Sequence, residues 1–250
     1  MESKKICLVV GGSGGIGSAV CRLLSDNGFS VAIGYNSSEE KAFNLKKDIE
    51  KTGQPACCVS LDINQDETIP QAVKSIKETL GQSPSYLVYA PGNKLSYRSF
   101  FDLEWHQVQS QIDLFARGAW SLLKALIPSM RATKFGRVVL VNSAFSWAVP
   151  PASIAHYVIG KYTQQGVMKA AAVELGADGI TVNSVSPGMT QTEFISMVPE
   201  IAKKMAVAQN PSRRLAVPED VANAILFLLR NESSYLNGVD LPVAGGAVMR

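Results

Sequence analysis

The chain has only two histidines, His106 and His156, and they lie far apart, so a histidine-based metal cluster is not expected. Its four cysteines, Cys7, Cys21, Cys57 and Cys58, include no Cys-x-x-Cys pair, and three of them fall within apolar runs. That pattern fits reduced, buried thiols of a cytoplasmic protein, not a disulfide framework or a zinc site. No apolar run reaches the ~18 residues that suggest a membrane span. The charges at the start lead through a short apolar run straight into glycines, without a signal-type cleavage site. Neither sign of charge dominates: the net charge is +3 with both signs scattered, which points away from nucleic-acid and membrane partners. Internal repeats, low-complexity tracts and dividing linkers are also absent, so residues 1–250 read as one domain.

What is present is ample core material, 46% hydrophobic residues in a chain of 250, arranged in a regular alternation. Residues 6–10 form a short apolar run ending in glycines, as a buried parallel strand should. Further strands are expected at 30–35, 55–61, 86–89, 137–141, 181–185 and 238–243. Helices are expected at 16–27, closed by Gly28, at 37–49, opened by a Ser37/Glu40 capping box, and at 67–80. A long, bent helical stretch spans 102–130, and a helix carrying Tyr157 and Lys161 runs to about 177. Pro218 opens a helix over 218–229, with Glu219 and Asp220 where the helix dipole favours acids. Residues 189–210 have no strand character and read as an excursion, a candidate substrate lid. The alternation predicts an α/β, Rossmann-type doubly wound parallel β-sheet of about seven strands, with helices on both faces.

Two motifs carry chemistry. Gly11, Gly12, Gly14, Gly15 and Gly17 crowd the turn between the first strand and the first helix. Glycines there let the backbone approach a pyrophosphate while the helix N-terminus supplies N–H groups. Tyr157 and Lys161 are four apart, which places both on one helix face. An ammonium beside a phenol favours the phenolate and should lower the tyrosine pKa toward a useful range. Ser143 lies at the end of the 137–141 strand and completes a proton-transfer set, with Ser146 as a competing serine.

Taken together, the Gly11-x-x-x-Gly15-x-Gly17 turn, Ser143, Tyr157 and Lys161 make the whole chain resemble the short-chain dehydrogenase/reductase family. Thr181-Val182-Asn183 with Pro187, Gly188 and Thr192 resembles the family segment that closes over a nicotinamide. RLAVPEDV at 214–221 and Val243-Ala244-Gly245-Gly246 resemble segments of bacterial 3-oxoacyl-(acyl-carrier-protein) reductases. The resemblance implies hydride transfer between a nicotinamide and a carbonyl. Tyr157 would act as proton donor, Ser143 would hold the oxygen, and Lys161 would bind the nicotinamide ribose. It implies cofactor contacts at Gly11, Ser13, Gly14, Gly15, Ile16, Gly17, Tyr35, Asn36, Ser37, Ser38, Asp62, Ile63, Ala90, Gly92, Tyr157, Lys161, Pro187, Gly188, Thr190 and Thr192. Two departures stand out. The family's Asn-Asn-Ala-Gly is Tyr89-Ala90-Pro91-Gly92, and its catalytic asparagine is Asp113, whose carboxylate would be able to pair with Lys161.

The expected cofactor is NADPH in preference to NADH, because Tyr35, followed by Asn36, Ser37 and Ser38, stands where an acid would repel a 2′-phosphate. The basic residue many NADPH-using relatives carry in the glycine turn is Gly14 here. The substrate wall is expected from Phe100, Phe101, Trp147, Met189, Met197 and Met205, suiting an apolar acyl or aromatic ketone. A 3-oxoacyl thioester is the leading substrate, with an acyl carrier protein docking on Arg131, Lys134 and Arg137. A free small alcohol or ketone is the second reading. The third is a regulatory NADP-binding protein with weakened catalysis. Relatives suggest a homotetramer or homodimer, through the faces of 120–126 and 167–175.

Overall fold

The computed structural model describes residues 4–65 and 67–249. Its seven strands are β1 (Ile6–Val10), β2 (Ser30–Tyr35), β3 (Ala56–Ser60), β4 (Tyr86–Tyr89), β5 (Gly136–Val141), β6 (Ile180–Pro187) and β7 (Asp240–Val243). They form one sheet in the order β3-β2-β1-β4-β5-β6-β7, and every pairing is parallel. The continuous apolar runs are explained by burial on both faces, since every residue of β1, β5 and β6 is buried. The two-residue period of a strand splits each run between two cores. Ile6, Leu8 and Val10 face one core, and Cys7 and Val9 the other.

Three helices cover each face. α1 (Gly15–Asp26), α2 (Glu39–Glu50) and α8 (Pro218–Leu229) close the core that holds Cys7. α3 (Thr68–Leu80), α5 (Gly118–Thr133) and α6 (Ala155–Leu175) close the other. No described helix is long and apolar enough to cross a membrane.

Several expectations shift. α2 begins at Glu39 with Ser38 at its N-cap and no side-chain capping bond, so the Ser37/Glu40 box does not form because the helix starts too late for it. The 189–210 excursion is not shapeless: it holds a 3₁₀ turn at Glu193–Ile195 and α7 (Glu200–Gln209). The bend in the long helical stretch is a π turn. α4 (Trp105–Ile112) passes into α5 through Asp113–Arg117, where the Gly118 N–H reaches back to the Asp113 carbonyl. Such single-turn insertions gather at functional sites.

Tyr89, which replaces the family asparagine, takes part in holding that turn. It is fully buried, and its hydroxyl donates to the Leu114 carbonyl, tying the end of β4 to the π turn. The adjoining Gly118 leaves the room: a Cβ there would lie 2.1 Å from the Tyr89 hydroxyl and 2.9 Å from Ile63 Cδ1. Gly118→Ala is therefore expected to destabilise by about 1–3 kcal/mol through overpacking. The loss should shrink when Tyr89→Phe is added, since Phe lacks the clashing oxygen. Urea denaturation of the two singles and the double measures this, and strictly additive losses would contradict the contact.

Candidate active site

β1 lies between β2 and β4, so the chain winds outward in opposite directions from that point and leaves a crevice at the strands' carboxyl ends. The glycine turn sits there. Gly11 has φ +72°, and a Cβ on it would lie 2.5 Å from the Ala90 carbonyl oxygen. A Cβ on Gly17 would lie 2.1 Å from the Gly11 carbonyl oxygen, so the turn closes on the first turn of α1 only without side chains. Gly14 caps α1 with no side-chain hydrogen bond, leaving the helix N-terminus uncapped by any side chain.

These residues line one end of a cleft of about 790 Å³. Of the predicted cofactor contacts, the Gly11–Gly17 set, Tyr35, Asn36, Ser37, Ser38, Ile63, Ala90, Gly92, Pro187, Gly188, Thr190 and Thr192 line it, with Ser143, Tyr157 and Lys161. Asp62 is not among the lining residues. Its carboxylate accepts from the Asn64 N–H at 3.0 Å and from Gln65 Nε2 at 3.1 Å, the work of a turn residue. Asp113 is not among them either. Its carboxylate accepts from Gln109 Nε2 at 3.1 Å, so the expected contest for Lys161 does not arise from that bond.

At the other end Ser143 follows β5, and its Oγ accepts from the Phe145 N–H at 3.3 Å. Ser146 is buried, bonded to Asn142 at 3.3 Å and absent from the lining, so Ser143 is the serine that faces the cleft. Tyr157 is buried between Phe115 and Phe194, with ring centroids 5.7 Å and 5.6 Å away. Burial pushes its hydroxyl up to about 12, and the bond from Ser143 works the other way. The expected lowering by Lys161 is thus not what dominates. The Lys161 ammonium donates to the Val141 carbonyl at 2.7 Å and to Gln164 Oε1 at 3.2 Å, and lies 3.6 Å from the Phe115 ring centroid. Burial holds the lysine itself well below its usual range, and Asp240 acts in the opposite direction.

Other expected residues part company. Met189 and Met205 line the cleft, whereas Phe100, Phe101 and Met197 are exposed and Trp147 turns away to donate to Asp240 at 2.5 Å. Of the basic trio, Arg131 and Lys134 are exposed and Arg137 is not. Arg137 is buried and donates to the Gly136 and Gly179 carbonyls, and Arg131 is paired with Asp178 at 2.6 Å. Both lie near the amino end of β5, away from the cleft. Sequence reasoning missed Lys41, which lines the cleft beside Ser37 and Ser38 and pairs with Glu193 at 2.6 Å. Its spacing three after Ser38, one turn into a helix, was the available signal. Phe115 carried no such signal, because the π turn redirects it. Among the described residues no group of three or more His, Cys, Asp or Glu could hold a metal.

A family profile described as Enoyl-(Acyl carrier protein) reductase matches residues 11–248. The chain belongs to the short-chain dehydrogenase/reductase family. Members of the family are NAD(P)-dependent oxidoreductases acting on CH–OH groups, and so is this one. It is 30% identical over 248 residues to a 3-oxoacyl-(acyl-carrier-protein) reductase of Pseudomonas aeruginosa, covering 98% of each chain. It is also 30% identical to a 3alpha-hydroxysteroid dehydrogenase of Mediterraneibacter gnavus, covering 99% of this chain and 98% of the other. The structure matches that of an acetoin dehydrogenase from Salmonella typhimurium at a TM-score of 0.86 and 26% identity, covering 98% and 97% of the two chains.

The glycine cradle and the uncapped helix end fit a dinucleotide's pyrophosphate. Gly17→Ala must push the Gly11 backbone aside, and is expected to weaken NAD(P)H binding at least about 10-fold in a fluorescence titration. An unchanged Kd in a folded variant would remove the cradle from the cofactor site.

Proposed function

We propose that the protein is an NADPH-dependent ketone reductase whose reacting end is Ser143, Tyr157 and Lys161. The observation that supports this is their meeting in one cleft with the glycine cradle, although they come from a strand end and a helix distant in the chain. When bound, the reduced nicotinamide supplies a hydride to the carbonyl carbon. Tyr157 gives its proton to the carbonyl oxygen, a role suited to a hydroxyl that burial keeps protonated through neutrality. Ser143 donates a hydrogen bond to the same oxygen as charge develops on it. Lys161, with Pro187, Gly188, Thr190 and Thr192, would hold the nicotinamide ribose side, and residues 189–210 act as the substrate lid.

NADPH is favoured because Ser37, Ser38 and Lys41 line the end of the cleft where Tyr35 replaces an acid. A lysine placed there answers the absence of a base in the glycine turn. The leading substrate is a 3-oxoacyl thioester, supported by the chain's likeness to carrier-protein reductases. Apolar cleft walls from Leu95, Phe194, Val198 and Met205 agree with an acyl chain. A free ketone is the second reading, favoured by the engagement of Arg131 and Arg137 elsewhere. Trp120 and Val173, exposed on α5 and α6, are proposed contacts of a homodimer or homotetramer.

Turnover of an acetoacetyl thioester against diacetyl and a 3-oxosteroid, each with NADPH, separates the substrate readings. Tyr157→Phe should lose turnover by at least about 100-fold while NADPH binding persists; an active Phe variant sinks the assignment. Since the raised tyrosine is protonated at neutrality, alcohol oxidation should climb about tenfold per pH unit from neutral to mildly alkaline pH, while ketone reduction stays level. Oxidation that is flat over that range argues against Tyr157 as the base. Lys41→Ala should weaken NADPH binding about 10-fold and leave NADH binding unchanged. Equal effects on both cofactors would place Lys41 away from the 2′-phosphate.

A further inference from the structure

Asp240 on β7 is a buried carboxylate whose hydrogen-bond donors are neutral side chains. Its Oδ1 accepts from Ser184 at 2.7 Å and from Ser186 at 2.8 Å. Its Oδ2 accepts from Trp147 Nε1 at 2.5 Å, Ser186 at 2.9 Å, Gln165 Nε2 at 3.2 Å and Asn142 Nδ2 at 3.5 Å. Burying a charge costs several kcal/mol unless hydrogen bonds replace its water, so five donors converging on two oxygens is a specific arrangement.

The donors fall at informative places. Asn142 immediately precedes Ser143, and Trp147 ends the short 3₁₀ turn that follows it. Both are bound to one oxygen of Asp240, so the turn bearing Ser143 is held at its two ends by a single atom. Ser146 donates to Asn142 Oδ1 at 3.3 Å, and Tyr162 donates to the Ser146 carbonyl at 3.0 Å, which closes the arrangement against α6. The Val141 carbonyl that receives the Lys161 ammonium is the residue just before Asn142. Asp240 itself is absent from the cleft lining.

We propose that Asp240 is a positioning residue that aims Ser143 by fastening both ends of its turn, at Asn142 and Trp147, to one buried carboxylate. The proposal rests on the reading of Ser143 as the residue that holds the substrate oxygen. It accounts for two features together: a buried carboxylate whose donors are all neutral, and an indole turned away from the substrate wall. Leucine at 240, close to aspartate in length, offers no acceptor at all, whereas asparagine would turn its N–H₂ to the two serines, which can rotate to accept, and keep its oxygen on the indole. With leucine the turn loses its carboxylate hold at both Asn142 and Trp147, while the Trp147 Nε1 keeps its 3.3 Å bond to Ser186.

Asp240→Leu and Trp147→Phe are compared with the intact protein for kcat, KM, NADPH affinity and Tm, using NADPH and whichever of the three ketones is turned over fastest. A misaimed hydroxyl is expected to lower kcat about 10-fold to 100-fold with KM and NADPH Kd changed less than about 2-fold. The double variant should be no slower than Asp240→Leu alone, because both changes cut the same link. Unchanged kcat overturns the proposal, as does a joint fall of kcat, NADPH affinity and Tm, which would make Asp240 a structural residue only. If Asp240→Leu does not fold, Trp147→Phe decides on the same criteria. If the intact protein reduces none of the ketones, the reductase reading has failed. Trp147 emission, read after Trp105→Phe and Trp120→Phe, then decides: a shift of the emission maximum on adding Asp240→Leu is expected, and an unchanged spectrum overturns the link.

Discussion

The position of β1 between β2 and β4 is the constraint on which the site depends. All strands are parallel, so all their carboxyl ends meet one edge of the sheet, and the outward winding in both directions opens a crevice there. The glycine turn and the Ser143 turn follow β1 and β5 in that row, and the Pro187–Gly188 segment spans the end of β6. Residues remote in sequence share a cleft because the register leaves them no other side. The close approach of Gly11 to Ala90 is the tightest expression of this, since the loops after β1 and β4 touch backbone to backbone.

Within the crevice, burial outweighs charge. A lysine next to a tyrosine reads, on a helix wheel, as a charge that lowers a phenol. In three dimensions Lys161 is held by a strand carbonyl, a glutamine and an aromatic face, and Tyr157 lies between two phenylalanines. Both groups are pushed toward their neutral forms, tyrosine upward and lysine downward, because the same apolar packing that orders them also strips their water. The negative charge closest in effect to the lysine comes from Asp240, on the edge strand β7.

The departures from family pattern have local physical answers. Tyr89 steadies a strand end by reaching the π turn with its hydroxyl, and Gly118 makes the room it needs. Asp113 is taken up by Gln109, one turn earlier on the same helix. Lys41 supplies a cation near the mouth of the cleft where the glycine turn has none.

The sequence by itself determined the sheet, because continuous apolar runs with a helix between each pair admit few arrangements other than a doubly wound one. It pointed to the glycine turn too, since glycines crowded between a first strand and helix let the backbone approach a pyrophosphate, and it placed Ser143, Tyr157 and Lys161 as candidates through local spacing. Only the tertiary structure decided what surrounds them. Which aromatic rings bury Tyr157, whether Trp147 faces the substrate or a carboxylate, and whether Arg137 is surface or core all depend on contacts between segments far apart in the chain. Periodicity reports which face of an element is apolar, but not which side chain from another element meets it, and the direction of Phe115 was hidden further by a π turn that breaks the helical period.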